Sequence, residues 1–130
     1  MNPGGLVKRI LVADDEDQIR ESVRAALEAL GYDIIEADNG TRALDLARLQ
    51  KPHLIISDVV MDSGSGFLLR ELLREDEETS LIPLILMTGH AQGAGAWGSD
   101  PDIEYLEKPF KSAELVSAVE RSLKRASRKQ

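Results

Sequence analysis

Apolar residues in this chain come in short runs, each closed by a polar residue, and the runs alternate with stretches of helical periodicity. Arg9-Ile10-Leu11-Val12-Ala13 ends at Asp14-Asp15, and Leu54-Ile55-Ile56-Ser57 ends at Asp58. Leu84-Ile85-Leu86-Met87 ends at Thr88, and Ile103-Glu104-Tyr105-Leu106-Glu107 ends at Lys108. Runs apolar on both strand faces describe strands covered on both sides. Their alternation with helices describes an α/β fold with a parallel sheet and crossover helices. The expected strands are 8–13, 32–37, 53–58, 82–88 and 103–107, the second nearer a sheet edge because it is more polar at its end.

Helices are expected at about 16–30, 42–50 and 66–74, and after Ser112. Ile19, Val23, Ala26, Leu27 and Leu30 fall on one helical face, and Val116, Val119 and Leu123 on another. Gly31 is placed to stop the first helix, Thr41 to open the second, Lys51-Pro52 to end it and Ser112 to cap the last. A Gly- and Ser-containing loop at 62–66 leads into the third helix, and Glu75 to Thr79 is an acidic connector. Residues 89–102 hold Gly89, Gly93, Gly95, Gly98 and Pro101. Each glycine opposes a helix by about 1 kcal/mol, so a fourth helix there is expected to be short or irregular.

The 130 residues read as one domain, with a core at about 8–126. The net charge of -7 disfavours a nucleic-acid partner. The basic cluster Lys124, Arg125, Arg128, Lys129 reads as a solvated helix end favoured by the helix dipole. The absence of cysteine excludes disulfides and thiolate zinc sites, and His53 and His90 are too few for a His-rich metal site. No apolar run reaches the roughly 18 residues of a membrane span, and the first seven residues lack the regions of a signal peptide. A cytoplasmic location is the expectation.

In an open parallel sheet, functional groups gather beyond the carboxyl ends of the strands. There this chain would place Asp14, Asp15 and Asp58, the Thr88 hydroxyl and the Lys108 ammonium. Taken singly each is bland: Asp58 a helix cap, Thr88 a packing residue, Lys108 a surface lysine, and Asp14 to Asp17 a favourable start to a helix. Together they suit a hard divalent cation and a phosphoryl group, because Mg²⁺ takes oxygen ligands and clustered carboxylates need a cation to stay ionised.

The chain resembles the receiver domain of bacterial two-component response regulators from about Lys8 to Ala126. The matching stretches are Ile10 to Glu16, Leu54 to Met61, Leu84 to Gly89 and Tyr105 to Phe110. The resemblance implies a flavodoxin-like, doubly wound three-layer sandwich with a five-stranded parallel sheet of order 2-1-3-4-5. It implies Asp58 as the nucleophile phosphorylated by a histidine kinase or phosphotransfer protein. It implies Asp15 and Asp58 as direct Mg²⁺ ligands, Asp14 as a further holder of the ion and Val60 as a ligand through its backbone carbonyl. Lys108 and Thr88 would contact phosphoryl oxygens, Thr88 and Tyr105 would act as switch residues, and Lys108-Pro109 would be cis. Phosphorylation would then alter binding to a downstream protein, with homodimerisation on activation allowed. The protein would mediate its own phosphotransfer and autodephosphorylation without being an enzyme on other substrates.

Two stretches depart from the family pattern. Met61 is followed by Asp62 where a proline is common, and the glycines of 89–102 disturb a segment that usually serves output, with Trp97 its large apolar residue. Val60 and His90 stand where lifetime is usually tuned, and neither offers an acidic or amide group to orient water, so slow autodephosphorylation is expected. An Asp-nucleophile phosphohydrolase is disfavoured, since Val60 replaces its second aspartate. A receiver cut from a longer hybrid kinase or regulator, and a degenerate receiver acting as an interaction module, are the remaining alternatives.

Overall fold

The apolar runs and amphipathic stretches become β1 (Arg9–Ala13), α1 (Asp17–Glu28), β2 (Asp33–Ala37), α2 (Gly40–Gln50), β3 (Leu54–Asp58), β4 (Val60–Met61), β5 (Gly64–Ser65), α3 (Gly66–Arg74), β6 (Leu84–Thr88), β7 (Ile103–Glu107) and α4 (Ser112–Ser127). This computed structural model describes residues 7–61, 64–89 and 102–128. The expectation of an irregular fourth helix, with Trp97 and His90, lies outside the described residues, as does Asp62.

The five long strands form one parallel sheet in the order β2-β1-β3-β6-β7. With the short antiparallel ribbon β4–β5 set aside, this is the expected 2-1-3-4-5 order, and β2 lies at an edge. Strand alternation sorts the core into two layers. Ile10, Val12, Leu54, Ile56, Ile85 and Met87 face Val23 and Leu27 of α1 and Leu115, Ala118 and Val119 of α4. Leu11, Ala13, Ile55, Leu84 and Leu86 face Ala43 and Ala47 of α2 and Leu69 and Leu73 of α3. Burying each such Leu, Ile or Val contributes roughly 1.5–3 kcal/mol. A sheet covered on both faces leaves its carboxyl edge as the place where polar side chains can converge.

Several element ends differ from the sequence expectation. Gly31, at φ +93°, turns the chain after α1 as expected, but the helix closes at Glu28 and Leu30 beyond it is 56% exposed, not inward. α2 is opened by Asn39, whose side chain accepts from the Arg42 amide at 2.8 Å, and starts at Gly40, ahead of Thr41. The cap position of α4 belongs to Lys111, whose amide donates to the Glu114 carboxylate at 2.8 Å; Ser112 is already helical. Part of the expected 62–66 loop pairs in the ribbon, and Ser65 caps α3 by accepting from the Leu68 amide at 3.1 Å. Arg125 in the basic tail is tied to Glu104 at 3.2 Å, so that cluster is not wholly a solvated end.

Gly66 seats α3 against the sheet. A Cβ there would lie 2.6 Å from Leu86 Cδ2 and 2.8 Å from the Asp58 carbonyl oxygen. Backbone cannot yield as a flexible side chain does. Gly66→Ala is therefore expected to cost roughly 1–3 kcal/mol in urea unfolding and to displace Asp58. Wild-type stability in that variant would contradict this close approach.

Candidate functional site

The register of the central strands sets the height of each functional residue. Ala13 pairs with Ser57, so Asp14 and Asp58 follow at the same level on adjacent strands. Asp58 pairs with Met87, which places Thr88 one residue further along the next strand. Thr88 pairs with Glu107, and Lys108 comes immediately after. The Lys108 amide donates to the Thr88 carbonyl at 2.7 Å, which holds the turn beyond β7 against β6. The Lys108-Pro109 peptide is cis, as the resemblance implied.

Asp14 is fully buried and closely held. Its amide donates to the Ala37 carbonyl at 3.1 Å. Its Oδ1 accepts from the Glu16 amide at 2.8 Å, and its Oδ2 accepts from Lys108 Nζ at 2.9 Å. The same ammonium lies 3.4 Å from Asp58 Oδ1 and 3.8 Å from Glu16 Oε1. Lys108 thus joins acids from the ends of β1 and β3. Carboxylate oxygens of Asp14, Asp15 and Glu16 can all lie within 4.8 Å of one another.

The electrostatics follow from this crowding. Burial pushes the Asp58 carboxyl above the usual carboxylate range, and the charges of Asp14 and Asp15 push the same way against the opposing pull of Lys108. Burial works to lower the Lys108 ammonium, but its hydrogen bond to Asp14 and the nearby carboxylates more than offset this and raise it. Lys108 is therefore held as a cation, while burial disfavours the charged form of Asp58 in spite of that cation.

Thr88 is buried at the end of β6. Tyr105 is half-buried, packs on the α2–α3 side of the core and pairs with Leu86, two residues before Thr88 on the same sheet face. Val60 opens the ribbon two residues after Asp58 with its side chain 59% exposed.

Two contributors went unnoticed in the sequence. Glu16, read as part of a helix start, joins the acidic cluster. The Ser57 hydroxyl donates to the Asp58 carbonyl at 2.9 Å, and a polar residue inside an otherwise apolar strand was the available signal.

An open, doubly wound α/β domain with an acidic, lysine-bridged cluster at its carboxyl edge is the class that this fold and site define. A family model described as the response regulator receiver domain matches residues 10–120, and the chain belongs to that family. It is similar to the phosphate regulon transcriptional regulatory protein PhoB of Pseudomonas aeruginosa, with 37% identity over 124 residues, 91% of this chain and 52% of that protein. It is also similar to protein PilH of the same organism, with 34% identity over 113 residues, 85% of this chain and 93% of that protein. The chain therefore spans about half the length of PhoB and nearly all of PilH.

Among solved structures, the response regulator receiver domain protein from Clostridium thermocellum superimposes with a TM-score of 0.84 at 25% identity, covering 95% of this chain and all of that one. The receiver domain of a signal transduction histidine kinase from Syntrophus aciditrophicus gives 0.80 at 30% identity, covering 91% of each chain. The chain is accordingly a phospho-acceptor switch of the two-component type. No described helix is long and apolar enough to cross a membrane.

Proposed function

We propose that Asp58 is the residue that takes the phosphoryl group, from a histidine kinase or phosphotransfer protein, and that the adduct changes binding to a downstream protein. The observation that carries this reading is the Lys108 ammonium, held 2.9 Å from Asp14 and 3.4 Å from Asp58. It stands where charge on a transferring phosphoryl group would develop. Phosphoryl transfer asks for positioning and charge neutralisation more than covalent chemistry by the protein. An Asp58 oxygen forms the new P–O bond as the donor's P–N bond breaks, and the departing imidazole takes up a proton. Lys108 pairs with a phosphoryl oxygen, and the Thr88 hydroxyl donates to another.

The donor set suits Mg²⁺. It is all oxygen, Asp14, Asp15 and Glu16 can bring carboxylate oxygens within 4.8 Å of one another, and the half-buried Asp58 carboxyl lies near enough to Asp14 and Asp15 to feel their charges after that of Lys108. Asp15 and Asp58 would bind the ion directly, Asp14 and Glu16 would support it, and the Val60 carbonyl would complete the protein ligands. When bound, the ion supplies positive charge for the phosphoryl oxygens.

Phosphorylation adds roughly -1.5 to -2 charges at this edge. Thr88 is drawn toward them, and Tyr105, on the same face, fills the space left behind. This is a local charge event acting on a two-state surface. Homodimerisation is one output such a surface supports.

Incubation with acetyl phosphate and Mg²⁺, read by intact mass and peptide mapping, tests the assignment. A Mg²⁺-dependent adduct on Asp58 is expected; an adduct elsewhere, or none, rejects it. The exposed, apolar Val60 offers no group to orient attacking water. The purified adduct is accordingly expected to persist for minutes or longer, and decay within seconds would refute that reading of Val60.

A further inference from the structure

We infer that Arg20 is a positioning residue that holds the turn between β1 and α1 in the shape its carboxylates need to bind a divalent cation. The inference rests on the Mg²⁺ site proposed above. Arg20 is the fourth residue of α1. The amino-terminal end of a helix is its positive end, so a cation in the first turn is electrostatically misplaced. The contacts of its guanidinium explain its presence.

Arg20 Nη1 donates to the Asp14 carbonyl at 2.7 Å, Nε donates to Glu36 Oε1 at 2.9 Å, and Nη2 donates to the Asp17 carboxylate. The side chain is only 14% exposed. Three oxygens from a strand end, a neighbouring strand and the first turn of a helix meet one planar fork. Glu36 is a firm anchor because it lies within β2, paired with Val12 of β1. The Asp14 carbonyl is the last acceptor before Asp15, so fixing it fixes the direction in which the chain presents Asp15 and Glu16. With the Asp14 amide on the Ala37 carbonyl, the peptide groups on both sides of the Asp14 side chain are held to neighbouring residues. An ammonium cannot reproduce this, since lysine offers a point charge where arginine offers a rigid fork.

Arg24 supplies an internal control. It shares Glu36 as a partner and also bonds Glu28 at 3.0 Å, but it is 45% exposed and its hydrogen bonds go to those two side chains. Weakening Arg24 therefore disturbs the same anchor without releasing the Asp14 carbonyl.

The test is Mg²⁺ titration by calorimetry on wild type, Arg20→Lys and Arg24→Lys, with urea unfolding in parallel. Arg20→Lys is expected to weaken Mg²⁺ binding about tenfold or more, the usual cost of losing a group that orients metal ligands. Arg24→Lys should stay within about twofold of wild type, because an ion pair of an exposed arginine contributes little. Saturating Mg²⁺ should return the acetyl phosphate labelling rate of Arg20→Lys most of the way to wild type. A residue that merely supports the fold would not give that split between affinity and rate. Glu36→Gln keeps Arg20 and loosens its anchor, should lose affinity to a smaller degree, and carries the test if Arg20→Lys does not fold. Wild-type affinity in the Arg20→Lys or Glu36→Gln protein, or equal losses in Arg20→Lys and Arg24→Lys, overturns the inference while leaving the site assignment intact. A wild-type chain that binds no Mg²⁺ overturns that assignment, and this inference with it.

Discussion

Asp58→Asn is expected to abolish the phosphoryl adduct and, in the same step, to make the protein harder to unfold. The two effects have one origin. Burial first, and then the charges of Asp14 and Asp15, hold the Asp58 carboxyl above its usual range despite Lys108. A folded state that keeps this proton more tightly than the unfolded chain loses stability when the group ionises. The penalty is absent below the ordinary carboxylate value of about 3.9. It grows as pH rises and is complete above the raised folded value. Asparagine has the same shape and no charge, so the variant should gain on the order of 1 kcal/mol at neutral pH, as removal of a functional strain commonly gives. The gain should shrink toward pH 4, and Mg²⁺ should narrow it by stabilising the wild type. Urea unfolding of both proteins across this range is the check. A variant less stable than wild type at neutral pH, or a difference independent of pH, would sink the account.

Lys108→Met should be the most damaging single change at the site. It leaves Asp14, with no exposed side-chain surface, and Asp58, with 13%, without their shared cation. Removing one partner of a buried ion pair typically costs about 3–5 kcal/mol. The lower end is expected here, because the Glu16 amide still donates to Asp14. Phosphorylation by acetyl phosphate should fall by about tenfold to a thousandfold, in line with loss of one charge-stabilising group. The pH dependence has the opposite sense to that of Asp58. The ammonium is raised in the folded state, so its stabilisation is complete below its ordinary value of about 10.4 and is lost as pH climbs through the raised one. The variant should lack that alkaline loss. Adding Asp14→Asn to Lys108→Met should recover much of the stability, because neutralising both partners removes the stranded charge. Simple additivity of the two single changes in a double-mutant cycle would show that the pair is not coupled.

These groups were legible because a strand buried on both faces tolerates few polar residues. Asp14, Asp58 and Thr88 stood out at the ends of such strands, and the family resemblance gave them order. The helix faces of α1 and α4 were legible through their period, in Val23, Leu27 and Val119. Leu30 misled because the period continues in the sequence after the helix has ended at Glu28. Asn39 and Thr41 are both competent caps, and their order was settled by which side chain reaches the free amide of Arg42. Glu16 and Arg20 were harder to see for a physical reason. Their roles depend on positions 14, 17, 36 and 108 arriving together, and no local pattern encodes that meeting.

One ammonium serving two acids also imposes an order of events. If Asp58 takes the phosphoryl group as proposed, that group would draw Lys108 toward itself and away from Asp14, which is fully buried and would keep the Glu16 amide as its donor. A divalent ion already beside Asp14 would offset that loss. Cation loading should therefore come first, so that the ion licenses the modification and signal strength tracks free magnesium.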